Sequence, residues 1–151
     1  MKTAEQVAVV TGANGGIGYQ TALHLARSGV SVILACRDQF RGEAAIKSLS
    51  RQAKGAAVEL AILNLASLKS VRDFGASLNN RFPHLDLLIN NAAIMAVPQR
   101  MLSEDGYELQ FATNHLGHFA LSAALLPLLL KSPAPRIVTV SSIAHRYGHL
   151  N

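Results

Sequence analysis

TGANGGIG, residues 11–18, follows the apolar run VAVV (7–10) without a spacer and leads directly into a helical pattern. A glycine-rich turn between a buried strand and a helix is compatible with few folds, because each glycine meets a different steric demand. Gly12 allows the tight turn out of the strand. Gly16 lets the backbone come close to a phosphate group, and Gly18 lets the helix pack near the sheet. The start of the helix also offers N–H groups that have no partner within the helix, and these suit anionic oxygen. The alternative, a purely structural glycine-rich turn, does not require a strand before it and a helix after it.

The rest of the chain repeats that first unit. SVILAC (31–36), VELAIL (58–63), LDLLIN (85–90) and RIVTV (136–140) are rich in Val, Ile and Leu and read as strands buried on both faces. Four helical patterns lie between the strands. From Ser67 to Phe82, the residues Leu68, Val71, Gly75, Leu78 and Phe82 fall on one face, with Ser67 placed as the N-cap. Strand-helix alternation at this spacing predicts parallel strands joined by right-handed crossovers. The expected architecture is α/β, a doubly wound parallel sheet (Rossmann fold) of about five strands in the order 3-2-1-4-5. The chain reverses direction between strands 1 and 4, which leaves a crevice at their carboxyl ends. No linker or repeat divides residues 1–151, so one domain is expected.

Composition excludes several other classes. Half of the residues are apolar and 15% are charged, a balance that disordered chains do not have. FALSAALLPLLL (119–130) is too short to span a bilayer and contains Pro127. The N-terminus lacks the apolar core and cleavage site of a secretory signal, so a cytoplasmic location is expected. Cys36 is the single cysteine; it permits no internal disulfide and reads as a small strand residue. The net charge of +5 is spread singly from Lys2 to Arg146, without a basic run or interleaved aromatics, and this argues against a nucleic-acid partner.

The end of strand 2 is where such a fold meets the adenosine ribose of a dinucleotide. A carboxylate there accepts from a free 2′-hydroxyl, but this chain has Cys36 followed by Arg37. A guanidinium suits a 2′-phosphate by its charge and its forked donors, so NADP(H) is favoured over NAD(H). Asp38 is adjacent and can pair with Arg37 or turn toward the ribose. A solvated arginine on a loop is the plainer alternative.

With TGANGGIG, NNAA (90–93) and a strand ending in VSS (140–142), the sequence resembles the short-chain dehydrogenase/reductase family across essentially the whole chain. VILACRD, NHLGHF and RIVTVSSIAHRYG look like the branch that includes retinol dehydrogenases and WW-domain oxidoreductases. The resemblance implies a cofactor cradle of Gly12, Asn14, Gly16, Ile17 and Gly18, with Arg37 at the adenosine phosphate. Asn64 falls where the family usually has an aspartate facing the adenine amine, and its side-chain carbonyl can accept the same bond without the charge. Asn91, Ala92 and Ala93 would line the ribose side, Ala93 standing where the family has glycine. Ser142 matches the residue that hydrogen-bonds the oxygen of an alcohol or carbonyl substrate. Asn114 matches the helix asparagine that supports a water in the proton relay.

The family also uses a tyrosine and a lysine as Tyr-x-x-x-Lys, and that motif is absent from these 151 residues. Tyr147 follows Ser142 too closely and has Asn151 four residues on, so it reads as a loop residue. The expectation is therefore the cofactor-binding portion of an NADP(H)-dependent oxidoreductase; the alternative is a non-catalytic dinucleotide-binding or interaction module. His115/His118 and His145/His149 have the spacing of metal-ligand pairs, but no third ligand is arranged with either, and no metal is expected. A Ser142–His145 nucleophile lacks the strand-turn-helix elbow such a serine needs. The apolar segment Leu109 to Leu130 resembles a helix that family members bury between subunits, which makes homo-oligomerisation or self-association possible.

Overall fold

A computed structural model describes residues 6–146. The first half consists of β1 (Val7–Thr11), α1 (Gly16–Arg27), β2 (Ser31–Cys36), α2 (Gln39–Gln52) and β3 (Val58–Ile62). It continues with α3 (Leu68–Arg81), β4 (Leu87–Asn90), a single turn α4 (Leu109–Phe111), a π-helical turn (Ala112–Leu116), α5 (Gly117–Leu129) and β5 (Arg136–Thr139), and closes on a 3-10 turn (Ile143–Arg146). Among the described residues the five strands form one parallel sheet in the order β3-β2-β1-β4-β5, the doubly wound order that the alternation predicts. No helix there is long and apolar enough to cross a membrane.

Alternation along the strands supplies two cores. Val10, Leu34 and Cys36 face α1 and α2, where Leu23, Ala26 and Leu49 close over them. Val9, Ile33 and Leu88 face α3 and α5, against Val71, Leu78, Leu121 and Leu125. Each fully buried Leu or Ile contributes roughly 1.5–3 kcal/mol relative to exposure, so the two layers hold the sheet from both sides. In α3, Ser67 is the N-cap and accepts from Ser70 N, as its position before Leu68 predicts. A Cβ on Gly75 would lie 2.7 Å from that of Ala124, and this closeness sets α3 tightly against α5.

Two expectations are corrected. VELAIL and RIVTV read as strands buried on both faces, but β3 is only half-buried, with Ile62 exposed, and all four residues of β5 are exposed; among the described residues these are the two edge strands, each paired on one side only. Leu109 to Leu129 is a continuous helical path, but it is not regular α-helix throughout. At the π turn Gly117 N reaches back to Ala112 O, and this one-residue excess forms a bulge through which α4 continues into α5. β4 also begins at Leu87, two residues later than the apolar run suggests.

Candidate functional site

The carboxyl ends of β1, β2 and β4 open into a cleft of about 390 Å³. Gly12, Asn14, Ile17 and Gly18 form its base, Arg37 and Asn64 one side, and Asn91, Ala92 and Ala93 the other. Gly16 stands at the start of α1 beside this lining. The ten positions that the sequence assigns to cofactor binding are thus gathered from four strand ends and the start of one helix.

Steric constraints fix the cradle. Gly12 has φ +64°, and a Cβ there would sit 2.9 Å from Ala92 Cα, so any side chain displaces the turn after β4. Gly16 also has positive φ, at +55°, but nothing lies within 4 Å of where its Cβ would be. The space in front of it is open to a ligand. A Cβ on Gly18 would collide with Asn91 Nδ2 and lie 2.6 Å from Gly12 O, so the close packing expected of Gly18 is against the loop and Asn91. The N-cap of α1 is Gly15, which has no side chain to close the first turn. Beneath the loop, the buried Cys36 thiol meets the backbone N–H groups of Ala13 and Asn14. Burial outweighs them and pushes its pKa up to about 11.

The rim beside β2 carries Arg37, exposed and lining the cleft. Asp38 is the N-cap of α2, and its Oδ1 accepts from Arg41 N at 2.8 Å. Among the described residues Asp38 makes no ion pair with Arg37. Asn64 Oδ1 accepts from Ala66 N at 3.1 Å, which leaves that oxygen one lone pair for another donor.

The opposite wall hangs on Thr11, a residue the sequence reading passes over. Thr11 Oγ1 accepts from Asn91 N and Ala92 N, each at 2.9 Å, and lies 2.9 Å from Nε2 of the buried His118. Asn91 Nδ2 donates to Thr11 O at 2.8 Å. His118 Nδ1 is 3.1 Å from Asn114 O. The Asn114 side chain clamps Ile94, accepting from its N at 2.9 Å and donating to its O at 2.8 Å. Burial pushes the His118 pKa down, against the opposing pull of the Asn114 carbonyl. The one available sequence signal for this network was the histidine in NHLGHF; its partner Thr11 is 107 positions away.

Ser142 lies exposed beyond β5, and its carbonyl accepts from His145 N at 3.1 Å. Tyr147 and His149 lie outside the described residues. His115 stacks on Phe111 with ring centroids 5.3 Å apart, while His118 turns inward to Thr11, so the two rings of that pair do not converge.

Residues 6–151 match the family model described as short chain dehydrogenase. The chain belongs to the short chain dehydrogenase family. It is 49% identical over 143 residues to retinol dehydrogenase 13 of Homo sapiens, covering 95% of this chain and 43% of that protein. It is 46% identical to retinol dehydrogenase 14 of Homo sapiens, covering 95% of this chain and 46% of the relative. Among solved structures, a short chain dehydrogenase of Shigella flexneri complexed with NADP superposes with a TM-score of 0.82 at 29% identity, over 97% of this chain and 62% of that one. The chain thus spans a little under half the length of these two retinol dehydrogenases. Membership makes it an oxidoreductase-family chain, and the cleft occupies the crevice that this family's fold creates between β1 and β4.

Proposed function

We propose that the cleft binds NADP(H) in preference to NAD(H), and that the chain is the cofactor-binding portion of an oxidoreductase acting on an alcohol/carbonyl pair. The observation that carries this reading is the division of labour at the end of β2. Asp38 is committed to the first turn of α2, and Arg37 is left as the charge on the cleft rim. A guanidinium there attracts a 2′-phosphate, and the adjacent carboxylate of Asp38 already accepts a bond at the start of α2. The NADP complex of the Shigella flexneri relative supports the same choice.

The cradle fits the group. Gly16 keeps open the space that a side chain would fill, and the uncapped first turn of α1 offers N–H groups to a pyrophosphate. When bound, the cofactor supplies or takes up a hydride at its nicotinamide ring. This chain's own residues hold and orient. The Asn91–Ala93 wall faces the ribose, Asn64 offers its remaining lone pair to the adenine amine, Asn114 supports a water, and Ser142 donates a hydrogen bond to the substrate oxygen. Retinol, the alcohol in the names of both relatives, is the first substrate to test.

Displacement of a fluorescent nucleotide by adenosine 2′,5′-bisphosphate and by adenosine 5′-monophosphate tests the reading on the parent chain. The bisphosphate is expected to compete at a concentration at least tenfold lower, the value of one charge-assisted contact of about 1.5–3 kcal/mol. Equal competition would remove the 2′-phosphate from the account.

A further inference from the structure

His118 sits behind the Asn91–Ala93 wall of the cleft and touches both residues that hold the 91–94 segment, Thr11 and Asn114. Its Nε2 is 2.9 Å from Thr11 Oγ1, and its Nδ1 is 3.1 Å from Asn114 O. The backbone carbonyl of Asn114 can only accept, so Nδ1 must carry a proton. In the neutral ring Nε2 is then an acceptor, and the Thr11 hydroxyl donates to it. This arrangement satisfies Thr11 completely. Its oxygen has two lone pairs, taken by Asn91 N and Ala92 N, and its one proton goes to His118, with Ile89 O as a longer second acceptor at 3.3 Å. A protonated ring turns Nε2 into a donor. Three donors then compete for two lone pairs, and one of the bonds holding the turn after β4 must give way.

The surroundings leave the ring's own chemistry in charge. β1 and β4 carry no charged residue, and α5 has no other titratable group. On α3, Lys69, Arg72, Asp73 and Arg81 are exposed, as is Arg136 on β5, and His115 in the π turn stacks outward on Phe111. Along the chain the position is also held in place: Ser122 Oγ donates to His118 O at 2.8 Å and accepts from Asn90 Nδ2 at 3.1 Å.

We propose that His118 is a positioning residue for the nucleotide cleft: neutral and protonated on Nδ1, it receives the Thr11 hydrogen bond and ties the 91–92 turn to Asn114, and protonation of its ring loosens that wall. As far as it concerns the cofactor, this rests on the reading that the cleft binds a nicotinamide dinucleotide. Linkage then requires that low pH weaken binding and that bound cofactor resist protonation of His118 to the same degree.

Nitrogen-15 spectra of the 151-residue chain test the device without any ligand. The expected result is the Nδ1–H form of the neutral ring, with the amide signals of Asn91 and Ala92 shifting as His118 titrates. An Nε2–H ring, or amides indifferent to its titration, would overturn the proposal. Calorimetry with NADPH at pH 7.5 and 5.5 tests the link to binding. Because the 2′-phosphate itself titrates near pH 6, the readout is the difference from His118→Gln, whose amide oxygen accepts from Thr11 and does not titrate. The parent is expected to weaken about five- to tenfold more than His118→Gln, and Thr11→Ser, which keeps the hydroxyl, is expected to behave as the parent. Parallel weakening of parent and His118→Gln overturns the link. Should no nucleotide bind at any pH, the function reading fails, and the spectra alone still decide the role of His118.

Discussion

A Cβ on Gly12 would sit 2.9 Å from Cα of Ala92, so the first glycine of the loop and the turn after β4 are in backbone contact. Gly16 differs, since its positive φ faces open space. The two glycines therefore fail differently. Gly12→Val is expected to lower the melting temperature strongly. Gly16→Val is expected to cost stability only about 1–2 kcal/mol of backbone strain while abolishing nucleotide binding. Thermal melts and calorimetry on the two variants check this; a Gly16→Val chain that binds normally would remove the loop from the site.

The buried His118 gives stability an acid limit. Burial first, opposed by the Asn114 carbonyl, holds its folded pKa below the unfolded value near 6.5. The unfolded state therefore takes up the proton more readily. This contribution is fully present above the unfolded value and is lost as pH falls through the folded one. Urea midpoints at pH 7.5 and 5 are expected to fall further for the parent than for His118→Gln, and an equal fall would contradict the assignment.

At the alkaline side, Cys36 behaves in the opposite sense. Burial raises its thiol from 9.0 to about 11, so the fold is favoured below the unfolded value and loses that contribution as pH rises through the folded one. Iodoacetamide at pH 8 is expected to leave Cys36 unmodified in the native chain and to label it in urea. Rapid native labelling, read by mass spectrometry, would show that the thiol beneath the loop is accessible.

β5 offers an unpaired edge, with Ile137, Val138 and Val140 exposed, and Phe119 and Leu130 of the α5 region are 71% and 72% exposed. A strand edge and an apolar helix face together favour association. Light scattering of the 151-residue chain is expected to show a mass that rises with concentration; a monomer at every concentration would contradict this.

Much of the fold was legible because β1, β2 and β4 are apolar on both faces, and in a parallel sheet only strands covered by helices on both sides can be. β5 has the same composition, yet its exposure depends on its place in the strand order, which no local pattern reveals. The π turn was hidden for a related reason: the helical pattern from Leu109 to Leu130 has no Gly-Pro break or cap to mark that one residue is in excess. Within the site, Gly12, Gly16, Gly18 and Arg37 follow from what strand ends and phosphates demand. Thr11 and His118 do not, because their roles arise from a contact across 107 positions.

An oxidoreductase of this kind needs a proton donor for the oxygen that receives the hydride. No tyrosine in these 151 residues has a lysine four positions on. The chain alone is therefore expected to lose at least the roughly 100- to 10,000-fold that general acid catalysis supplies. NADPH oxidation against a panel of aldehydes and ketones, retinal included, is expected to stay at background. Turnover that disappears in both Ser142→Ala and Tyr147→Phe would show that Tyr147 serves as the donor.

The central claim is that Arg37 makes the cleft a site for NADP(H), and calorimetric titration of the parent and of Arg37→Ala with NADPH and NADH tests it most directly. The account predicts tighter binding of NADPH by the parent and, in Arg37→Ala, a loss of about ten- to hundredfold for NADPH with little change for NADH. Tighter NADH binding by the parent, or equal losses for both nucleotides, would contradict it.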